Sequence, residues 1–254
     1  MDKQPQDIIT MRVYHPNDFE QVKDLFSLGI VGPGSPGRLS FRLSYTHQYT
    51  FAVYMVLALG LWLSVSSMLW SITHYVGLLL VVLALGYLVW IFVKVRGFFE
   101  GYRLACLAED LSDIPGYYKL VPSPTVTTAM GLTPITPSGF WVVEAHSPQS
   151  ESTRKIVGCV ALDYSLGDST SADLRRFSVL PSYRCKGIGS LLLRTVVAHA
   201  RCHRLSKVHI TTTSFQMNAV RLYARHGWIA QPMKPVTSIG VLTFGHVEMD
   251  LPLR

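Results

Sequence analysis

Two runs break the mixture of apolar and polar residues found along the rest of the chain. From Tyr49 to Trp70, and again from Val76 to Val93, nearly every residue is apolar and none carries a formal charge. Crossing a bilayer as a helix takes about 17 to 25 such residues, so both runs qualify, the second by a small margin. The alternative is a pair of core helices in a soluble protein, which would need burial on every side. The first run begins only at Tyr49 and lacks a small-residue cleavage site, so it does not read as a signal peptide.

Elsewhere the pattern is periodic. Asn17 or Asp18 starts a helix in which Phe19, Val22, Leu25 and Phe26 share one face. A second helix is predicted over residues 98–111. "GFWVVEA" (139–145) and "KIVGCVALDYS" (155–165) predict an antiparallel pair joined by the polar "HSPQSESTR". Residues 174–180 predict a strand that stops at Pro181. Ile188, Leu191, Leu192, Thr195, Val196, His199 and Ala200 follow helical spacing, and Lys207–Thr213 is a further strand. Residues 120–138, rich in Pro, Thr and Ser, predict a long solvent loop.

Candidate chemistry gathers at "SYRCKGIGS" (182–190), between that strand and that helix. A helix N-terminus presents unpaired backbone N–H groups and the positive end of the helix dipole, which suits an anion. Glycine lets a phosphate approach the backbone, and Arg184 and Lys186 add positive charge. No Lys-Ser/Thr follows Gly187, which excludes a Walker loop; Leu192 stands where a dinucleotide fingerprint needs a small residue. What remains is Arg-x-x-Gly-x-Gly at Arg184, Gly187 and Gly189. A basic turn capping an ordinary helix has the same composition.

That pattern resembles the acyl-CoA loop of the GNAT superfamily of N-acetyltransferases. "SFQMNAVRLYARHGW" (214–228) resembles the second signature of the same superfamily, matched at Gln216, Ala219, Tyr223, Gly227 and Trp228. "IITMRVYHPNDFEQVKDLF" is similar to its opening strand and first helix. With an apolar hairpin inserted after that helix, the chain resembles the camello-like N-acetyltransferases, which are anchored in the endoplasmic reticulum or nearby membranes. The resemblance implies an α/β fold with a GNAT-type mixed central sheet flanked by helices. It divides the chain into an acetyltransferase domain (8–30 and 98–254), a membrane hairpin (45–95) and the loop at 120–138.

In such a fold the first strand shares a sheet with the later ones. Residues 8–14 and 139–250 then lie on one side of the membrane, and the hairpin crosses twice or enters and returns. Arg38 and Arg42 precede it, Lys94, Arg96 and Arg103 follow it, and the connecting "SITHY" has no Lys or Arg. The positive-inside bias puts both flanks in the cytosol.

The resemblance also implies roles. Acetyl-CoA is the cosubstrate, its pyrophosphate held by the N–H groups of Cys185, Lys186, Gly187, Ile188, Gly189 and Ser190 beside Arg184. Gln216 and Ala219 belong to the same binding region. The pantetheine arm follows an edge freed where strand 174–180 splays from strand 207–213, and a backbone N–H at Val179 or Leu180 polarises the acetyl carbonyl. Tyr223 returns a proton to the departing thiolate, or else is a packed helical aromatic. No spacing rule selects a general base; Glu144 and Asp163 are candidates, with His146 and His209 behind them, and each reads first as a surface or structural residue.

The acceptor implied is a primary amine, with a cysteine S-conjugate or other small amino acid derivative favoured because a membrane-held site suits an amphipathic molecule. A protein lysine is the rival, and a non-catalytic membrane-anchored acyl-CoA-binding module is the reading from another class. Cys106, Cys159, Cys185 and Cys202 have neither disulfide nor zinc spacing, so reduced thiols and no metal are expected. Cys185 sits in an electropositive turn at a helix N-terminus. The formal charge of +7 is spread along the chain. A lipid surface and CoA phosphates account for it better than nucleic acid.

Overall fold

A computed structural model describes residues 7–68, 71–123, 131–146, 154–164, 170–232 and 234–253. The chain opens with β1 (Ile8–Val13) and a tight turn at Pro16–Asp18, where the Asp18 carboxylate accepts from the His15 N–H at 2.8 Å. It continues through α1 (Phe19–Val31), α2 (Pro36–Tyr45), α3 (Gln48–Ser66), α4 (Ile72–Ala108) and α5 (Ile114–Tyr117). Then come β2 (Leu120–Pro122), β3 (Leu132–Pro134), β4 (Gly139–His146), β5 (Lys155–Asp163) and β6 (Ser171–Val179). The rest is α6 (Ile188–Cys202), β7 (Lys207–Thr213), α7 (Met217–Arg225), β8 (Ile229–Ala230), β9 (Lys234–Ile239) and β10 (Leu242–Pro252).

The main sheet runs β1-β4-β5-β6-β7-β10-β8, with β9 paired to β10. All its pairings are antiparallel except β6 with β7. β4 shows why the sheet has two cores. Trp141, Val143 and Ala145 pack with Leu192 and Val196 of α6, while Phe140 and Val142 pack with Val22, Leu25 and Phe26 of α1. A strand covered on both faces needs no polar alternation, which explains the continuous apolar run in "GFWVV".

Three sequence expectations change. The helix predicted over 98–111 is not a separate element: it is the last part of α4, which runs 37 residues without interruption from the second apolar run. At 1.5 Å per residue that rod is roughly 55 Å long. Helix α2 was not anticipated, although its start carries the usual signals: Ser35 Oγ accepts from the Arg38 N–H at 3.3 Å, and Pro36 fills the first turn. The long loop is anchored at both ends, since β2 and β3 pair from Leu120↔Pro134 to Pro122↔Leu132. Residues 124–130 within it, and 147–153 of the β4–β5 connection, lie outside the described residues.

α3 and α4 are long and apolar enough to cross a membrane, and only 11% and 17% of their most apolar windows are buried. Core helices would be enclosed, so that alternative does not fit. The two helices touch through glycine. A Cβ on Gly60 would lie 2.9 Å from the Gly77 carbonyl oxygen, and one on Gly77 would lie 2.7 Å from the Gly60 oxygen. Such small-residue contacts let helix backbones approach closely. Gly77→Leu is therefore expected to push the pair apart at a cost of about 1–3 kcal/mol. It would lower the thermal midpoint in detergent; an unchanged midpoint would count against the close contact.

Candidate active site

The chemistry is positioned by a parting in the sheet. β6 and β7 pair only over Ser171↔Lys207, Ala172↔Val208 and Asp173↔His209. Beyond that point the two parallel strands separate and leave one edge of β6 open. The cause lies in β6. Its register with β5 shifts between Cys159 and Ala161, and Arg176 takes a left-handed φ of 54°. A bulge of this kind bends a strand and re-aims its backbone groups.

Arg176 holds the bulge. Its guanidinium donates to Asp110 through Nε, at 3.0 and 2.8 Å, and through Nη2; Nη1 lies 2.8 Å from Cys106 Sγ. The group stacks 5.2 Å from the Phe26 ring centre, and Tyr118 Oη donates to the same Asp110 carboxylate. Burial would raise the Asp110 carboxyl, but the bonds from Arg176 hold it below its usual range. Its stabilising contribution is thus present at neutral pH and is lost only as pH falls through that lowered value.

The alternation of β6 decides which backbone groups face the opening. The Leu180 N–H donates to the Val157 carbonyl at 2.8 Å, so it is committed to the sheet and does not face the opening. Val179, one residue earlier, directs its N–H and C=O the other way, and its carbonyl accepts from Arg184 Nε at 3.2 Å.

The turn after β6 is open and cationic, as an anion cradle would have to be. Cys185 and Gly187 have φ of 60° and 84°, and a Cβ on Gly187 would meet nothing within 4 Å. Open space therefore lies in front of this glycine. α6 begins at Ile188 with no side-chain cap, and the first N–H to close on the cradle is that of Leu191, 3.0 Å from the Gly187 oxygen. The N–H groups of Ile188, Gly189 and Ser190 have no acceptor within the helix. Arg184, Cys185 and Lys186 are exposed around them, with Lys186 Nζ 4.6 Å from the Tyr183 ring centre. Gly189 does a different job from Gly187. A Cβ there would lie 2.9 Å from Leu222 Cδ2 and 3.3 Å from Phe177 Cζ, so it admits α7 against the head of α6.

α7 carries Tyr223 to the parting. The ring is buried and packs edge-on to Phe177 of β6, with centroids 5.6 Å apart. Its hydroxyl has no hydrogen-bond partner among the described residues, and burial raises its pKa well above 10. Ala219 packs on the same core. Gln216 Oε1 accepts from Thr212 Oγ1 at 2.6 Å, and Ser190 Oγ meets His226 Nε2 at 2.9 Å.

The candidate bases are not brought there. Asp163 pairs with Asp173 at the closed end of the strands, where Tyr117 Oη (3.0 Å) and Arg175 Nη1 (2.9 Å) donate to it. Gly158, opposite Val179, is five residues away along β5, roughly 17 Å. Glu144 is at the open end but two strands over, buried, with Arg12 Nε donating to it at 2.9 Å. His209 Nδ1 lies 2.5 Å from Asp250, and His146 has a buried Nδ1 without a partner among the described residues. Sequence reasoning passed over Arg176, Asp110 and Phe177, because their roles arise from contacts between distant segments.

A mixed sheet parted between two parallel strands, with an open glycine turn heading the helix that joins them, defines a GNAT-type acetyltransferase fold. The chain matches the Acetyltransferase (GNAT) family over residues 109–228, which form a GNAT N-acetyltransferase domain. It is distantly homologous to camello-like enzymes over most of its length. N-acetyltransferase 8 of Mus musculus is 29% identical over 222 residues, covering 86% of this chain and 83% of that protein. The probable N-acetyltransferase camello of Xenopus tropicalis is 25% identical over 220 residues, with 87% and 85% covered. N-acetylaspartate synthetase of Danio rerio is 27% identical over 224 residues, with 87% and 66% covered.

Removing one partner of the Arg176–Asp110 pair leaves a buried charge uncompensated. Asp110→Ala or Arg176→Leu is expected to cost about 3–5 kcal/mol in denaturant unfolding. The double variant Asp110→Ala/Arg176→Leu should be destabilised by less than the sum of the two single changes. Additive losses would mean that the two residues act independently.

Proposed function

We propose that the protein moves an acetyl group from acetyl-CoA to the primary amine of a small amphipathic acceptor, a cysteine S-conjugate or similar amino acid derivative. It does so as an integral membrane protein, in the endoplasmic reticulum, with the catalytic domain facing the cytosol. The carrying observation is the open space before Gly187, in the turn that directly follows the unpaired edge of β6 ending at Val179. Names of relatives support the acceptor class, since one acetylates aspartate by its name, and the apolar α3–α4 hairpin supports an amphipathic molecule.

In this reading the N–H groups from Cys185 to Ser190 hold the pyrophosphate, with Arg184 and Lys186 countering its charge. The Val179 N–H polarises the thioester carbonyl as the oxyanion forms. As the C–S bond breaks, Tyr223 donates its proton to the leaving thiolate and recovers, through solvent, the proton shed by the acetylated nitrogen; its raised pKa keeps it protonated beforehand throughout the neutral range. Neither Asp163 nor Glu144 serves as base, because one is remote and the other is bound by Arg12. The acceptor enters as the free amine present in solution.

Acetyl-CoA consumption by the detergent-solubilised protein tests this, with S-benzylcysteine, free amino acids, polyamines and a lysine-bearing peptide offered. Turnover with the first is expected. Preference for the peptide would select the protein-lysine rival, and binding without turnover on any amine would select the non-catalytic module. Gly187→Glu should abolish acetyl-CoA binding, whereas Tyr223→Phe should lower turnover roughly 100-fold or more with binding nearly intact.

The pH profile is a separate check. kcat/KM should rise toward the pKa of the acceptor amine and move with it when the acceptor is changed. An acidic limb that stays fixed across acceptors would reveal a protein base.

A further inference from the structure

Helix α2 is turned inside out. Gly37, Ser40 and Ser44 face the protein, where a Cβ on Gly37 would already lie 3.3 Å from the Phe99 ring and Ser40 Oγ donates to the Pro36 carbonyl at 2.8 Å. Arg38, Leu39, Arg42 and Leu43 form the opposite, exposed face. A helix on a soluble domain buries its leucines. Here two leucines and two arginines face outward together.

Three observations say what covers them. α2 leads through Thr46 and His47 directly into α3. Tyr45 Oη donates to the Leu88 carbonyl at 3.3 Å, so the end of α2 stands level with the apolar run of α4, before Lys94 closes it. The β9–β10 turn reaches the same level, since a Cβ on Gly240 would lie 3.8 Å from the Trp90 ring. The face is therefore continuous with the outward surface of α3 and α4, and its arginines complement an anionic surface.

We propose that α2 is an interfacial helix lying in the headgroup layer of the cytosolic leaflet, with Leu39 and Leu43 against acyl chains and Arg38 and Arg42 on anionic lipid phosphates. This rests on the membrane reading above. It holds the cradle close to the bilayer surface, because a Cβ on Gly34, just before α2, would lie 3.5 Å from Arg184 Nη1.

The test uses the full chain with Cys185→Ser and Cys202→Ser, reconstituted in phosphatidylcholine vesicles with or without phosphatidylserine. Single cysteines at Leu39→Cys, Leu43→Cys, Leu83→Cys and Glu20→Cys carry an environment-sensitive fluorophore, and spin-labelled lipids quench at shallow or deep positions. Labels at 39 and 43 should be quenched by the shallow probe, the label at 83 by the deep probe, and the label at 20 by neither. Arg38→Glu/Arg42→Glu should weaken quenching at 39 and 43 several-fold in phosphatidylserine vesicles only. Quenching at 83 with none at 39 and 43 overturns the interfacial helix, whether those positions then prove wet or covered by another copy. No quenching at 83 overturns the membrane reading and this inference with it.

Discussion

The buried pair of Arg176 and Asp110 is the constraint on which the rest depends. Asp110 follows the end of α4, and Arg176 sits at the left-handed bulge of β6. A long charged side chain in that backbone region is costly unless the surroundings over-determine it. Two carboxylate oxygens, the Cys106 sulfur and the face of Phe26 supply that constraint. The bulge in turn bends β6 away from β7 and turns the Val179 backbone outward. One ion pair therefore couples the helix that carries the apolar run to the strand edge that faces the chemistry.

Around that opening the chain divides the work by residue size. Gly187 leaves a space empty, and Gly189 lets α6 and α7 meet with Phe177 between them. Two glycines one residue apart thus serve different ends, the first facing outward and the second inward. Tyr223 reaches the parting because α7 is seated against that second glycine's neighbours, so the aromatic and the cradle hold their relative positions through direct packing.

Much of this was legible in the sequence, and the limits have physical causes. Short β-rich apolar runs located β4, β5 and β7, helical spacing located α1 and α6, and the Arg-x-x-Gly-x-Gly spacing marked the turn before α6. The continuity of α4 was not legible, because Lys94 and Arg96 interrupt the apolar run without interrupting helical hydrogen bonding. α2 escaped because its pattern is inverted, with small residues inward. The ion pair escaped because its members are 66 positions apart and each looks like an ordinary surface charge. Asp163 drew attention as a carboxylate at a strand end, yet register with Asp173 puts it at the wrong end. Which end of a strand faces an opening depends on pairing, and pairing is not written in any one segment.

The register of β1 has a consequence for how the molecule comes into being. Ile8 pairs with His146, and the whole of β1 pairs with β4, across the α3–α4 hairpin. Contacts between residues so distant in sequence form late, since the intervening chain must be ordered before they are rewarded. During synthesis β1 emerges first and waits with an unpaired edge until β4 has followed, by which time the hairpin has already been made. The catalytic sheet therefore cannot close ahead of its apolar insertion. A fault in settling that hairpin would appear as an unfinished sheet with an exposed β4 edge, a ready target for quality control, well before it appeared as a loss of turnover.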